Sequence, residues 1–547
     1  MCSQRRISIL KNSSVTSANC VYIWVFSNFN STEYTITQTI IKLTMFPFVY
    51  LLLIFPLLLF LIKLLNFNQQ STKKQLNTPP SPPKLPVIGN LHQIGPLLHH
   101  SLHFLSENHG GPLMLIHLGS VPTLVASSAD AAREIMKTHD LAFANRPDVK
   151  MWRRLLLDLK DVSVAPYGEY WRQVKSIMVL NLLSNKKIEA QREIREEEIA
   201  VTVDKIAVTV DNINLSDVFV KFTNDVVCRV TFGRKYSEGE EGEKFRKMLD
   251  EFFEVLGGLN LEDFVPWLAW VDRMRGFNAR VERVSGEIDG FLEGVVEERL
   301  RRNQSAAGGG GDREDFIDIL LKIEKDDRTG VTIDRMTIKA LLLDAYTAGT
   351  DTTATVLEWA FAELLKHPST LQKVQDEVRM VLNGKQEIKN DDIDNMKYLK
   401  CVLKETHRLH PPIPTLVPRV ARQDAKVMGY DIAKGTRVII NAWAIARDPK
   451  VWNDPDEFRP ERFLDSTIDF KGCDFELIPF GAGRRGCPGI AFAMMTNASL
   501  LANLLHKFNW ELPNGGKEDD LDMNEQPGLT IHKKVPLLVV ATPFDFK

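Results

Sequence analysis

Between Thr332 and Pro368 the chain reads TIDRMTIKALLLDAYTAGTDTTATVLEWAFAELLKHP, and this stretch constrains the fold most. Its apolar residues recur almost all the way round a 3.6-residue period, so one long helix, buried on every side, is predicted here. Asp334 or Thr332 can cap its start, and Pro368 stops it. The middle breaks the pattern. Thr347, Gly349, Thr350, Asp351, Thr352 and Thr353 are poor or indifferent helix formers, and a glycine alone costs about 1 kcal/mol against alanine. Gly349 and Thr352 are three apart and share a face. Two readings stand side by side. A gap at Gly349 beside the Thr352 hydroxyl holds a small polar molecule, or the threonines bond back to the preceding turn and bend the helix.

Around this helix the chain is mostly helical in period, with strand-like pieces only at Leu113–Gly119, Pro122–Ser127, Arg437–Trp443 and Pro536–Thr542. That predicts a mainly α fold with small β-sheets (α+β), not alternating βαβ units. A net charge of -3 leaves no broad basic field, which disfavours nucleic acid as a partner. The six cysteines are scattered with no C-x-x-C pair, so neither a disulfide framework nor a zinc site is indicated. Four consecutive glycines within Asn303–Asp315 predict a surface loop that buries little apolar area.

Phe46 to Leu65 is apolar apart from Lys63, and twenty residues make roughly 30 Å of helix, enough to span a bilayer core. Lys63, Lys73 and Lys74 on its C-terminal side place the following chain in the cytosol. Five prolines between Pro79 and Pro86 then predict a stiff, extended spacer. The expected organisation is an N-terminal extension at 1–44, an anchor at 45–65 and a linker with proline hinge at 66–96. A catalytic domain follows at 97–547. The functional protein is expected to start at Met45, directly before the apolar run.

The loop FELIPFGAGRRGCPG, Phe475 to Gly489, admits two chemistries. Gly481, Gly483 and Gly486 have the G-x-G-x-x-G spacing of a dinucleotide turn, with Glu511 as the acid downstream. Yet only 60 residues follow Cys487, too few for the rest of a doubly wound sheet. Centred on Cys487 instead, the loop places a sulfur before a helix that Pro488 suits at its first position, beside Arg484 and Arg485. Helix terminus and arginines alike favour thiolate over thiol. The bland alternative is a small buried hydrophobe. A single thiolate without partner cysteines suits one axial position on a macrocycle's iron. Elsewhere Glu405 and Arg408 stand at i, i+3, which by itself reads as a surface pair, and FRPERF, Phe458–Phe463, as a charged loop.

Phe480-x-x-Gly483-x-Arg485-x-Cys487-x-Gly489 resembles the signature of the cytochrome P450 haem-thiolate enzymes. Ala348-Gly349-Thr350-Asp351-Thr352, Glu405-x-x-Arg408 and Pro460-Glu461-Arg462-Phe463 follow the same family's motifs in order and spacing. The resemblance covers about residues 46–547, and YGEYWRQVKS, HPPIPTLVPR and NAWAIARDP are similar to the plant A-type enzymes of the 71 clan.

That resemblance implies the cytochrome P450 fold with an N-terminal transmembrane helix and a haem b (iron protoporphyrin IX) cofactor. It implies O2 as co-substrate and NADPH electrons delivered by a reductase. Cys487 would be the axial iron ligand, Asp351 and Thr352 the proton-delivery pair. Trp171, Lys175, Arg419 and Arg485 would hold the haem, with Phe480 shielding the sulfur. Lys175 departs from the family's arginine: it keeps the charge but loses the bidentate fork. Glu405, Arg408 and Arg462 would form a buried network holding the loop. Substrate contacts would come from Leu343, Tyr346, Thr347, Ile413, Thr415, Leu416, Val417 and Leu529. The implied activity is a monooxygenase inserting one oxygen atom into a hydrophobic small molecule, a plant terpenoid, aromatic or oxime. Alternatives are a dehydratase or isomerase on the same fold, and an NAD(P)-dependent dehydrogenase. The implied location is the endoplasmic reticulum membrane, single-pass, with a monomeric catalytic unit facing the cytosol.

Overall fold

The computed structural model describes residues 54–61, 76–237, 239–258, 260–305, 314–325, 333–385 and 388–545. The extension at 1–44, most of the apolar run and the glycine stretch Gly308–Gly311 lie outside the described residues. The chain divides into two units, Met1–Leu76 and Asn77–Lys547. In the first, residues 54–61 are helical. No helix among the described residues is long and apolar enough to cross a membrane.

In the second unit five helices place the site: α1 (Glu169–Met178), α2 (Leu215–Phe232), α3 (Arg335–Lys366), α4 (Lys397–Leu409) and α5 (Ile490–Lys507). The main sheet holds β1 (Leu113–Leu118), β2 (Val121–Ala126), β3 (Arg419–Val420) and β4 (Arg437–Ile440). Its spatial order is β1-β2-β4-β3. β1 and β2 form an antiparallel hairpin with Leu113 opposite Ala126, β2 runs parallel to β4, and β3 is antiparallel to β4. Three smaller sheets complete the β content of the described residues.

The strand-like pieces of the sequence become strands, with one early stop. β4 ends at Ile440 because the Asn441 side chain accepts the Ala444 N–H and opens a short helix, Ala442–Ile445. FELIPF, by contrast, forms turns and no strand.

α3 runs through the largest hydrophobic cluster, where Leu341, Leu342, Trp359 and Phe361 are fully buried. Asp334 caps it by accepting the Thr337 N–H at 2.8 Å, and it ends at Lys366, two residues before Pro368 opens the next helix. α2 packs along its length. At Gly349 the approach is close: a Cβ there would meet Val227 Cγ2 at 3.2 Å. Thr347, Thr350, Thr352 and Thr355 each donate their hydroxyl to the carbonyl four residues back, at 2.7–2.8 Å. The back-bonding reading of this segment is therefore correct as geometry. It lets a polar helix centre be buried without orphaned hydroxyls at these four positions. It does not exhaust the segment, because Thr352 also faces a cavity.

Candidate functional site

The Cys487 loop is shaped by two glycines at φ +68°, Gly481 and Gly483. A Cβ on Gly483 would lie 2.2 Å from the Met136 carbonyl oxygen, so that position has no room for a side chain. The Cys487 N–H donates to the Phe480 carbonyl at 2.9 Å, and the Gly489 N–H donates to Cys487 Sγ at 3.3 Å. α5 begins at Ile490 behind the N-cap Gly489, so Pro488 precedes the helix instead of occupying its first position. Without a strand ahead of the glycines, the dinucleotide geometry has no basis here.

The sulfur opens on a cavity of about 280 Å³. α1 contributes Trp171, Lys175 and Met178, and α2 contributes Val227, Val230 and Thr231. From α3 come Asp344, Ala345, Ala348, Gly349, Thr352 and Thr353. Ile413, Leu416 and Val417 form another side, and Phe480 and Phe492 stand near the sulfur loop. Most of this lining is apolar. Four cations interrupt it: Arg146, Lys175, Arg419 and Arg485.

These cations are held mainly by backbone oxygens. Arg485 donates to the Ala144 carbonyl at 2.8 Å and the Ala165 carbonyl at 2.6 Å, and its guanidinium stacks 4.2 Å from the Trp171 ring centre. Arg419 donates to the Ala482 carbonyl at 2.8 Å and stands 3.5 Å from Asp140. Arg146 donates to the carbonyls of Ser163, Val417 and Pro418. Lys175 donates to the Arg484 carbonyl at 2.6 Å. The Trp171 N–H is itself donated to the Val162 carbonyl at 2.9 Å. Burial pulls all four cations below their ordinary values, and Arg485 and Arg419 repel several of their neighbours. The guanidinium groups nonetheless keep their protons at neutral pH. The lining holds one carboxyl group against them, Asp344.

Cys487 departs from the sequence-based expectation. Its thiol is pushed up, not down, because its depth inside the protein outweighs the Gly489 hydrogen bond, although its surface is exposed to the cavity; the nearby Asp344 charge adds to the rise and Lys175 opposes it. The two arginines beside it in sequence turn elsewhere: Arg485 into the backbone cradle, Arg484 outward to Asp140 at 3.1 Å. A thiolate here needs a positive partner in the cavity, which an iron centre supplies. A site with one sulfur donor, an excess of buried cations and apolar walls fits an iron macrocycle bearing acidic side arms.

Glu405, Arg408 and Arg462 meet as expected. Glu405 and Arg408 are fully buried and pair through two bonds of 2.8 and 2.9 Å, while Arg462 Nε reaches Glu405 Oε1 at 2.9 Å. Arg408 also donates to the carbonyls of Ala446, Pro455 and Glu457, which ties α4 to the chain around FRPERF.

Of the predicted substrate contacts, Ile413, Leu416 and Val417 line the cavity, whereas Leu343, Tyr346, Thr347, Thr415 and Leu529 do not. Tyr346 turns to the far side of α3, donates to Asn224 Oδ1 at 2.6 Å and packs against Phe232 and Phe245. The face presented is that of Ala345 and Ala348, rotated from the one chosen by sequence. Asp351 is also off the lining; its carboxylate accepts from His532 Nε2 at 3.0 Å. Sequence reasoning missed Arg146, Asp344 and His532. Arg146 precedes a proline in an irregular loop, and none of the three carries a local pattern that marks it. Among the described residues one further group, His99, His100 and Glu525, has metal-ligand spacing. Both imidazole Nε2 atoms bond Glu525 Oε2, at 2.9 and 3.1 Å.

Comparison with known proteins places these features in context. The family model Cytochrome P450 matches residues 79–540. Cytochrome P450 736A117 of Prunus mume is 53% identical over 494 residues, covering 89% of this chain and 95% of the relative. Cytochrome P450 71A8 of Mentha piperita is 51% identical, covering 89% and 94%. Tabersonine/lochnericine 19-hydroxylase of Catharanthus roseus is 48% identical, covering 91% and 98%. A solved zebra fish cytochrome P450 with abiraterone superposes with a TM-score of 0.68 at 26% identity, covering 82% of this chain and all of that one.

Proposed function

Because this chain belongs to the cytochrome P450 family, in its plant A-type branch, and is thus a haem monooxygenase of specialised metabolism fed electrons by a reductase, we propose that it hydroxylates an apolar plant metabolite of the terpenoid, aromatic or oxime type. The electrons would come from NADPH through a membrane flavoprotein reductase. Residues 45–65 would anchor the catalytic unit, a monomer, on the cytosolic face of the endoplasmic reticulum. The observation that carries the reading is that Cys487 Sγ and four cations, three of them buried arginines, open on one apolar cavity.

Cys487 would bind the haem iron, and Lys175, Arg419, Arg485 and the unforeseen Arg146 would pair with its propionates. Bound there, the haem supplies O2-derived oxygen reactive enough for an unactivated C–H bond. The chain's residues do the rest. Gly489 donates its N–H to the sulfur and holds it in place. Phe480 and Phe492 keep water from that side. Ala348 and Gly349 leave space on α3, and Thr352 presents its hydroxyl there, bonded to the Ala348 carbonyl, as a group able to pass a proton. Asp351 would feed that proton from the flank of the helix. Glu405, Arg408 and Arg462 would hold the loop from below. Ala345, Ile413, Leu416 and Val417 would meet the substrate, whose apolar character follows from theirs. Relatives named as a tabersonine hydroxylase and a norfluorocurarine oxidase support oxidation over oxygen-independent rearrangement.

The test is a panel of terpenoids, phenylpropanoid aromatics and oximes, screened for shifts in the haem spectrum and then for turnover in microsomes with reductase. Product formation that requires both NADPH and O2 supports the reading. Turnover that proceeds without either one would replace it with the dehydratase or isomerase alternative.

A further inference from the structure

His532 lies two residues past the Gly528–Thr530 turn, in the short strand His532–Lys533. Its ring sits between two carboxylates that lie two turns apart on α3. Nε2 is 3.0 Å from Asp351 Oδ1, and Nδ1 is 3.8 Å from Glu358 Oε2. Thr355, between them on the same face, brings its hydroxyl to 3.2 Å of Nδ1. Glu358 is fixed from two other directions, by the Ser216 hydroxyl and by the Lys533 N–H at 3.2 Å. Asp351 is thus not free to serve the cavity: its neighbour Thr352 lines it, but its own carboxylate is engaged on the helix flank.

We propose that His532 is the positioning residue for Asp351: its imidazolium pins the carboxylate beside the cavity, and Asp351 takes part in proton transfer only through this partner. The inference rests on the reading of Asp351 as a proton-relay acid. The two carboxylates beside the ring favour its charged form. Burial alone would drive the imidazole neutral, but the Asp351 charge and hydrogen bond, with Glu358 behind, hold its pKa up at about 10. Asp351 is correspondingly lowered, its burial outweighed by His532. Asp250 also faces Asp351 and is pushed up, first by burial and then by the Asp351 charge, against Arg246; Lys533, on the same strand as His532, faces Glu358. A neutral residue at 532 leaves the Asp351 carboxylate without its charged partner, and its pKa should then rise toward the pH range scanned below.

Two measurements test this on the full-length holoenzyme. The first is the imidazole titration by NMR of histidine-labelled protein, with His532 identified by its absence in His532→Gln. The wild-type ring is expected to stay protonated from pH 6 to 9, and in Asp351→Asn its titration midpoint is expected to drop by at least two pH units. A wild-type ring that titrates near 6.5 overturns the proposal. The second uses enzyme reconstituted with a flavoprotein reductase and no substrate, and reads peroxide released per NADPH consumed from pH 6 to 9. Wild type and the charge-preserving His532→Arg should give flat profiles, and His532→Gln should gain an inflection. If His532→Gln matches wild type while Asp351→Asn changes the ratio several-fold, the positioning role is refuted and the Asp351 relay stands. If Asp351→Asn itself matches wild type, the relay reading falls and takes this inference with it.

Discussion

The Glu405–Arg408–Arg462 cluster and the cation-lined wall near Cys487 both bury arginines, but on opposite plans. In the first, one carboxylate is shared by two guanidinium groups and the remaining donors end on backbone carbonyls, so the charge is answered from within the chain. In the second, four cations face a space with one lining carboxyl, and burial pulls every one of them down. A closed cluster of this kind holds a fold together. An open one leaves positive charge facing a cavity, which an anionic ligand would complete.

That contrast can be broken by substitution. The largest effect belongs to Cys487→Ala: the purified protein should lack haem and show neither the red-shifted carbon-monoxide band of the ferrous state nor turnover. Retention of full turnover would remove the basis for an open site built around the sulfur. Arg408→Ala comes next. It strands Glu405 in the core and should destabilise the domain by about 3–5 kcal/mol, read as a fall in unfolding midpoint or a collapse in folded yield. Lys175→Met sharpens the comparison from the other side: it should loosen haem about tenfold, consistent with about 1.5 kcal/mol for a charged hydrogen bond, and leave apoprotein stability nearly unchanged. Competition with apomyoglobin for haem measures it. A large stability loss in Lys175→Met would mean that the wall is structural too.

The smallest effect is a pH slope. Asp161 and Asp344 are held above the ordinary aspartate range by burial, Asp161 also by the Asp344 charge. A raised acid favours the folded state only while it is protonated. Its contribution is complete below the unfolded value of about 3.8 and is lost as pH rises from there through the raised native value. Asp344→Asn should therefore gain on the wild-type apoprotein as pH climbs from about 4 to about 6, by at most about 1.4 kcal/mol for each pH unit climbed, and level off above that. Parallel stability curves for the two proteins would contradict this.

The fold was largely legible from the chain. The all-round apolar period of α3, its Asp334 cap and its stop near Pro368 are local features, and local spacing is what periodicity reports. The Cys487 loop was legible for a different reason: the positive φ at Gly481 and Gly483, with no room for a Cβ at Gly483, leaves a trace in the residue type itself. The substrate face of α3 was not. Tyr346 and Ala345 are adjacent, and a helix apolar all round gives no sign of which side will meet a cavity.

The sequence by itself settled the residue types for the chemistry: the lone cysteine with its glycines, the threonine-rich break in a buried helix, and the i, i+3 acid–base pair. Each is written within a few residues, where covalent connection holds neighbours together. Tertiary structure alone decided which cations share a wall, that Arg146 joins them, and that Asp351 answers to His532, 181 residues away. Such pairings form where distant segments are packed into contact, and side chains that meet only through folding carry no mark of their partner in the order of the chain.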